Sequence, residues 1–210
     1  MIIISHRGYW TKNSDKNSEE SFKRSFQLGL GVETDIRDYK GDLVISHNIP
    51  GEGCMMLNSF FCLYLKYGKN LPLALNIKSD GLCLKLKFLI NKYSIKNYFV
   101  FDMSVPDGLS YIDNSINYFT RQSEYEKIPS LYDESKGVWI DEFKEHWITK
   151  ENIQSHIQSK KCICIVSPEL HGRYYKSEWT HYKKIEKKLN IDNLMICTDL
   201  PVEAMEFFNE

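Results

Sequence analysis

The 210 residues carry 27 basic and 28 acidic side chains, a formal net charge of -1, and 42% of them are hydrophobic. That balance suits one medium globular domain with its own core, spanning 1-210, and bulk charge gives no support for a nucleic-acid or membrane surface. The sequence has no run of roughly 18 apolar residues able to span a bilayer, and its first apolar run leads straight into His6 without the layout of a secretion signal. A cytoplasmic protein without stable membrane insertion is therefore expected. The six cysteines fit that compartment as reduced core residues, since Cys162-x-Cys164 has strand spacing and not the two-residue gap of a zinc or redox motif.

In chain order, Ile2 to Ser5 reads as a buried strand that delivers His6 just before a turn at Gly8. Helical periodicity follows over Ser18 to Leu28. A second strand, Val32 to Ile36, holds Glu33 and Asp35 two positions apart, which sends both carboxylates to one face. After a turn at Lys40-Gly41-Asp42, the run Leu43 to Ser46 comes too soon for a crossover helix, because a parallel connection needs about a dozen residues. It is predicted to be a β-hairpin arm that brings His47 back from the opposite direction. Six more strands are expected at Leu73 to Ile77, Tyr98 to Phe101, Ile116 to Thr120, Val138 to Asp141, Cys162 to Val166 and Met195 to Thr198. Helical stretches lie at Gly81 to Tyr93, Thr149 to Ser159 and Lys176 to Leu189.

Eight strands alternating with helices predict an α/β chain folded as a (β/α)8 TIM barrel with a small β-hairpin arm. Barrels of this kind typically have about 250 residues, so this one is expected to be trimmed, with the gaps after Phe101 and Thr120 too short for full helices.

Two histidines, His6 and His47, bracket the carboxylate pair Glu33 and Asp35. Hard cations take clustered oxygen ligands, and imidazoles are the usual acid and base near neutral pH, so this set suits metal-assisted hydrolysis of an anionic ester. Glu33 and Asp35 would repel one another unless a cation answers them; the alternative is that they serve as ion-pair partners for Arg7, Arg37 or Lys78. His146, His156 and His181 read as structural.

The residues His6-Arg7-Gly8, Asn17-Ser18 with Ser21-Phe22, Glu33-x-Asp35 and Leu43-Val44-x-x-His47 resemble the glycerophosphodiester phosphodiesterase family. Leu75-Asn76-Ile77-Lys78 is similar to that family's Glu-x-Lys strand, and Thr198-Asp199-Leu200-Pro201 to its closing Thr-Asp-x-Pro. The resemblance implies the same barrel fold and His6 and His47 as the acid and base pair. It also implies a divalent metal, Mg²⁺ or Ca²⁺, on Glu33, Asp35 and Asn76. Arg7 and Lys78 are then available to the substrate phosphate, the first as a two-pronged guanidinium and the second as a point charge. The implied activity is hydrolysis of a glycerophosphodiester or similar small alcohol phosphodiester, with no nucleic-acid partner. A lysophospholipase D-like lipid phosphodiesterase and a non-catalytic phosphodiester-binding barrel are the alternatives.

Two positions depart from the family pattern. Asn76 stands where a third acidic ligand is usual, and Asn48 follows His47 where an Asp is usual; an amide oxygen can still ligate a hard cation. Other strand ends supply further candidates: Trp139 and Glu169 are expected to contact the leaving group, and Asp102, Ser104, Arg121, Asp141, His171 and Arg173 begin the substrate-facing loops.

Overall fold

The computed structural model describes residues 1–68 and 70–210. The chain divides into two compact units, Ser5–Tyr118 and a second made of Met1–Ile4 with Phe119–Glu210.

The first unit holds the end of β1 (Ile2–His6), then α1 (Glu19–Gln27), β2 (Gly31–Tyr39), β3 (Asp42–Ile45), α2 (Leu57–Tyr67), β4 (Leu73–Ile77), α3 (Cys83–Lys92), β5 (Tyr98–Phe101) and α4 (Val105–Asp113). Its strands lie in the order β5-β4-β2-β1, with β3 on β2. β2 and β4 run parallel with Asp35 opposite Asn76, whereas β3 returns antiparallel, Ile45 opposite Ile36, as the predicted hairpin arm. A capping box starts α1: the Ser18 side chain accepts from the Ser21 backbone N–H, and Ser21 Oγ accepts from the Ser18 N–H. The buried face of α1, Phe22 and Phe26, packs on Phe60 and Tyr64 of α2. Fully burying each such ring is worth about 2 kcal/mol.

Two helices of this unit were not expected from the sequence. In α2 the run Phe60-Phe61-Cys62-Leu63-Tyr64-Leu65 has no polar alternation to reveal its period, yet Phe60, Phe61, Leu63 and Tyr64 are all buried. The gap after Phe101, expected to be too short, holds the nine-residue α4. It fits because Ser104 caps it and Pro106 occupies its first turn, so no residues are spent on a separate entry loop.

The second unit takes the start of β1 and then β6 (Phe119–Gln122), β7 (Gly137–Ile140), α5 (Lys150–Gln158), β8 (Cys162–Val166), a 3-10 turn at Pro168–His171, α6 (Lys176–Leu189), β9 (Met195–Thr198) and α7 (Pro201–Asn209). The order is β1-β9-β8-β7-β6, with β6 to β9 paired in parallel. Among the described residues no helix lies between β6 and β7, as expected of that gap. α7, also unforeseen, begins on Pro201 with its missing N–H at a position that needs none. Buried Trp179 donates to Ser167 Oγ at 2.7 Å, and buried Tyr182 donates to Glu142 Oε2 at 2.6 Å.

All six cysteines are free thiols. Cys83, Cys164 and Cys197 are core residues as predicted, but Cys62 is exposed on α2 and Cys54 and Cys162 are only half-buried. Among the described residues, no helix is long and apolar enough to cross a membrane.

Candidate active site

His6 is the last residue of β1, and its ring Nε2 lies 3.9 Å from Glu33 Oε2. Immediately after it Arg7 takes a left-handed backbone, φ 57°, a conformation that costs a non-glycine residue energy and recurs where side chains are aimed for function. Its backbone N–H is held by both the Glu33 carbonyl at 3.0 Å and Glu33 Oε2 at 3.2 Å. Gly8 continues the turn at φ 80°, where an added Cβ would come within 2.5 Å of Ser21 Oγ. The turn after His6 thus locks onto the start of α1, and only glycine fits there.

Glu33 and Asp35 stand in mid-β2, each 1% exposed, on one face of the strand. Burial, helped by the neighbouring Asp35 charge, pushes the Glu33 carboxyl up to about 7 although His6, Lys78 and Arg7 oppose it. Asp35 collects the cations: Arg7 Nε lies 3.2 Å from Oδ2 and Lys78 Nζ 3.5 Å from Oδ1. The Arg7 contact is close in distance but lacks hydrogen-bond alignment, so its Nε remains unsatisfied. Lys78, just past β4, also lies 3.9 Å from Asp102 Oδ2, and Asp102 too has a left-handed backbone, φ 70°. The ion pairing anticipated for Arg7 and Lys78 therefore exists; Arg37 instead donates to the His47 carbonyl at 3.3 Å.

One residue that entered the sequence reading only as part of the family resemblance, with no site role, belongs to this cluster. Asn17, left-handed at φ 59°, donates from Nδ2 to Asp35 Oδ2 at 2.8 Å and accepts from Thr34 Oγ1 at 2.8 Å. Its signals in the sequence were its place in the resembling motif and just ahead of the Ser18 capping box, and neither shows a contact with Asp35.

Asn76 projects from β4 on the side shared with Asp35, its register partner. It is 7% exposed, and its Oδ1 is a buried acceptor with no hydrogen-bond partner. Among the described residues no group of three or more His, Cys, Asp or Glu side chains could hold a metal ion. The donor set here consists of two carboxylates and an amide oxygen. Two buried acids whose charges oppose each other, beside an orphaned amide oxygen, have the chemistry that a hard divalent cation completes.

His47 lies two residues beyond β3, where Ser46 N–H donates to the Asp35 carbonyl at 3.0 Å and ties the arm back to β2. The His47 ring is exposed, and its Nδ1 sits 3.0 Å from Asn48 Oδ1. Because an amide oxygen only accepts, Nδ1 is the donor in this contact. Asn48, a departure from the family pattern, thus still orients the histidine. His47, Asn48, Arg7 and Asn17 line one open cavity of about 550 Å³.

Trp139 and Glu169 belong to the second unit. Trp139 is buried in β7, in register with Arg121 and Cys164. The Glu169 carboxylate accepts from Ser167 Oγ, from Thr198 Oγ1 and from the Asp199 N–H at 3.1 Å, holding the 3-10 turn to the end of β9. His171 and Arg173 are half-buried and paired: His171 Nε2 lies 3.0 Å from Asp141 Oδ1, and Arg173 meets Glu178 at 3.0 Å and Glu142 Oε2 at 3.6 Å. His146 and Tyr182 join Glu142, consistent with the structural reading of His146.

No family model matches the chain, and no curated protein matches it either. Several solved structures do. A candidate glycerophosphodiester phosphodiesterase from Galdieria sulphuraria is 19% identical with a TM-score of 0.75, covering 100% of this chain and 98% of that one. A glycerophosphodiester phosphodiesterase from Agrobacterium tumefaciens is 15% identical with a TM-score of 0.67, over 99% of this chain and 98% of that one. An Oleispira antarctica phosphodiesterase solved with the product sn-glycerol-3-phosphate is 14% identical with a TM-score of 0.68, over 100% and 97% of the two chains. Likeness at these identities carries the fold, and the fold is α/β: a trimmed (β/α)8 TIM barrel with β3 as a small β-hairpin arm.

Proposed function

We propose that this chain is a metal-dependent phosphodiester hydrolase acting on a glycerophosphodiester or a similar small alcohol phosphodiester. The observation that carries the reading is the buried Glu33 and Asp35 pair on one strand face, with Arg7, Lys78 and His6 beside it and the orphaned Asn76 oxygen on the paired strand. The resemblance in fold to structures named for this chemistry supports it. The reading treats 1-210 as one domain acting in the cytoplasm, in keeping with six free thiols.

Glu33, Asp35 and Asn76 would hold Mg²⁺ or Ca²⁺. Bound there, the ion supplies Lewis-acid polarisation of a phosphoryl oxygen and lowers the cost of charge on the attacking oxygen. Arg7 and Lys78 exchange part of their hold on Asp35 for the non-bridging oxygens of the phosphate, the guanidinium contributing a fork and the ammonium a point charge. His47, with Nδ1 committed to Asn48, accepts the nucleophile's proton at Nε2. His6, the member of the pair that faces a carboxylate, delivers a proton to the leaving oxygen. Where a glycerol hydroxyl adjacent to the phosphate attacks, its O–P bond forms as the leaving alcohol's O–P bond breaks, and a cyclic phosphate is released first.

The experiment is turnover of bis(p-nitrophenyl) phosphate by the purified chain, with and without Mg²⁺ or Ca²⁺ and after chelation. Metal-restored release of p-nitrophenol is expected. Absence of turnover with every ion, alongside retained binding of a phosphodiester, would assign the chain to the non-catalytic alternative.

A further inference from the structure

α3 presents two large apolar side chains to solvent one turn apart, Leu84 at 67% and Phe88 at 64% exposure. Residues four apart on a helix share a face, so the two form one apolar stripe. Beside them the turn of the β2–β3 hairpin leaves an open cleft of about 370 Å³ lined by Leu43, Leu84, Phe88 and Leu89 together with Asp42 and Lys85. The core needs neither side chain: Cys83, Leu86 and Ile90 bury the opposite side of the helix.

Basic side chains dominate the helix, although exposed Asp42 of the hairpin turn also lines the cleft. Between Asp80 and Asp102 the sequence holds Lys85, Lys87, Lys92 and Lys96 and no acidic residue, in a chain whose net charge is -1. Lys85, Lys92 and Lys96 are exposed, and Lys85 also reaches the Gly41 carbonyl, bridging the helix to the hairpin turn. Lys40 stands at that turn too, but it is paired with Glu52 Oε1 at 3.2 Å and adds little net charge there.

From this juxtaposition we infer that the α3 face with the hairpin turn is a peripheral docking surface for an anionic lipid bilayer. Exposed Leu and Phe flanked by lysines are what an interfacial helix offers: the apolar pair enters the headgroup region while the ammonium groups meet lipid phosphates. A second copy of the chain fits the face poorly. A two-fold contact would set these lysines against their own equivalents, and one apolar pair falls well short of the roughly 1,200 Å² or more that a stable interface buries. The docking is reversible and independent of the catalytic chemistry, since none of these side chains belongs to the candidate active site.

The test is co-sedimentation of the purified full chain with vesicles of phosphatidylcholine alone or mixed with phosphatidylglycerol. Binding to the anionic vesicles only, weakened by added salt, is expected. Leu84→Ser combined with Phe88→Ser should weaken it by about tenfold or more, without changing turnover of a soluble chromogenic diester. Lys92→Gln and Lys96→Gln should each weaken binding by about fivefold, and they keep the inference testable if the apolar variant folds poorly. No binding to anionic vesicles at low salt, or unaltered binding by the lysine and folded apolar variants, would overturn it. Light scattering that shows a dimer which the apolar variant converts to monomer would assign the face to self-association instead.

Discussion

Asn17 Nδ2 donates to Asp35 Oδ2 at 2.8 Å, joining two residues eighteen positions apart. The hydrogen bond turns the loop before α1 into part of the acidic site, because the same amide also accepts from Thr34 on the strand that carries Asp35. Asn17→Gly keeps the left-handed backbone available while removing both contacts. Turnover is expected to fall by about tenfold, the effect of a hydrogen bond lost at a buried acid, and Mg²⁺ affinity should fall with it. Asn17→Asp should be worse, since it sets a third carboxylate against Asp35. Steady-state kinetics and calorimetric metal titration on both variants check this, and wild-type behaviour of the glycine variant would reduce Asn17 to a helix entry.

His6→Ala and His47→Ala should each reduce turnover by at least about a hundredfold with little change in thermal unfolding, since proton transfer contributes on that scale and neither ring is a core residue. Chromogenic assay and circular dichroism measure the two effects. Near-normal turnover in either variant removes that histidine from the chemistry.

Asn76→Glu would raise the charge of the donor set from two to three, and ligand charge is one of the levers that sets affinity for hard cations. Tighter Mg²⁺ and Ca²⁺ binding is expected, with slower turnover where the extra charge blunts the ion's pull on phosphate. Isothermal titration decides the matter: equal affinities would place Asn76 outside the coordination shell.

His156 makes a prediction about stability. It is 5% exposed, with Nδ1 2.8 Å from Tyr132 Oη and Nε2 donating to Gln122 Oε1 at 2.8 Å, contacts that the neutral ring satisfies in full. Burial, with a smaller contribution from the Lys161 charge, lowers its pKa below 6.5. The unfolded chain therefore takes up this proton first as pH falls. The contribution is complete above pH 6.5 and is lost progressively below it. Urea unfolding between neutral and mildly acidic pH should show that decline, and His156→Gln, neutral throughout, should show a shallower one from a lower starting stability.

Strand periodicity alone was enough to place His6 at the end of β1 and to put Glu33 and Asp35 on one face of β2, because alternation is a local property of extended chain. The hairpin arm was equally legible, since too few residues separate β2 and β3 for any parallel connection. Helices hid where the local signal was weak: the unbroken apolar run in α2 conceals its period, and α4 fits its gap only through the Ser104 cap. Other features depend on the tertiary structure because they join residues far apart in the chain. The burial that raises Glu33, the sharing of Asp35 among Arg7, Asn17 and Lys78, and the solitary Asn76 oxygen all arise when β2 and β4 pair beneath the turn after His6. Residue types name the chemistry that is available, but desolvation and charge proximity, which decide how a carboxylate behaves, are set only by packing.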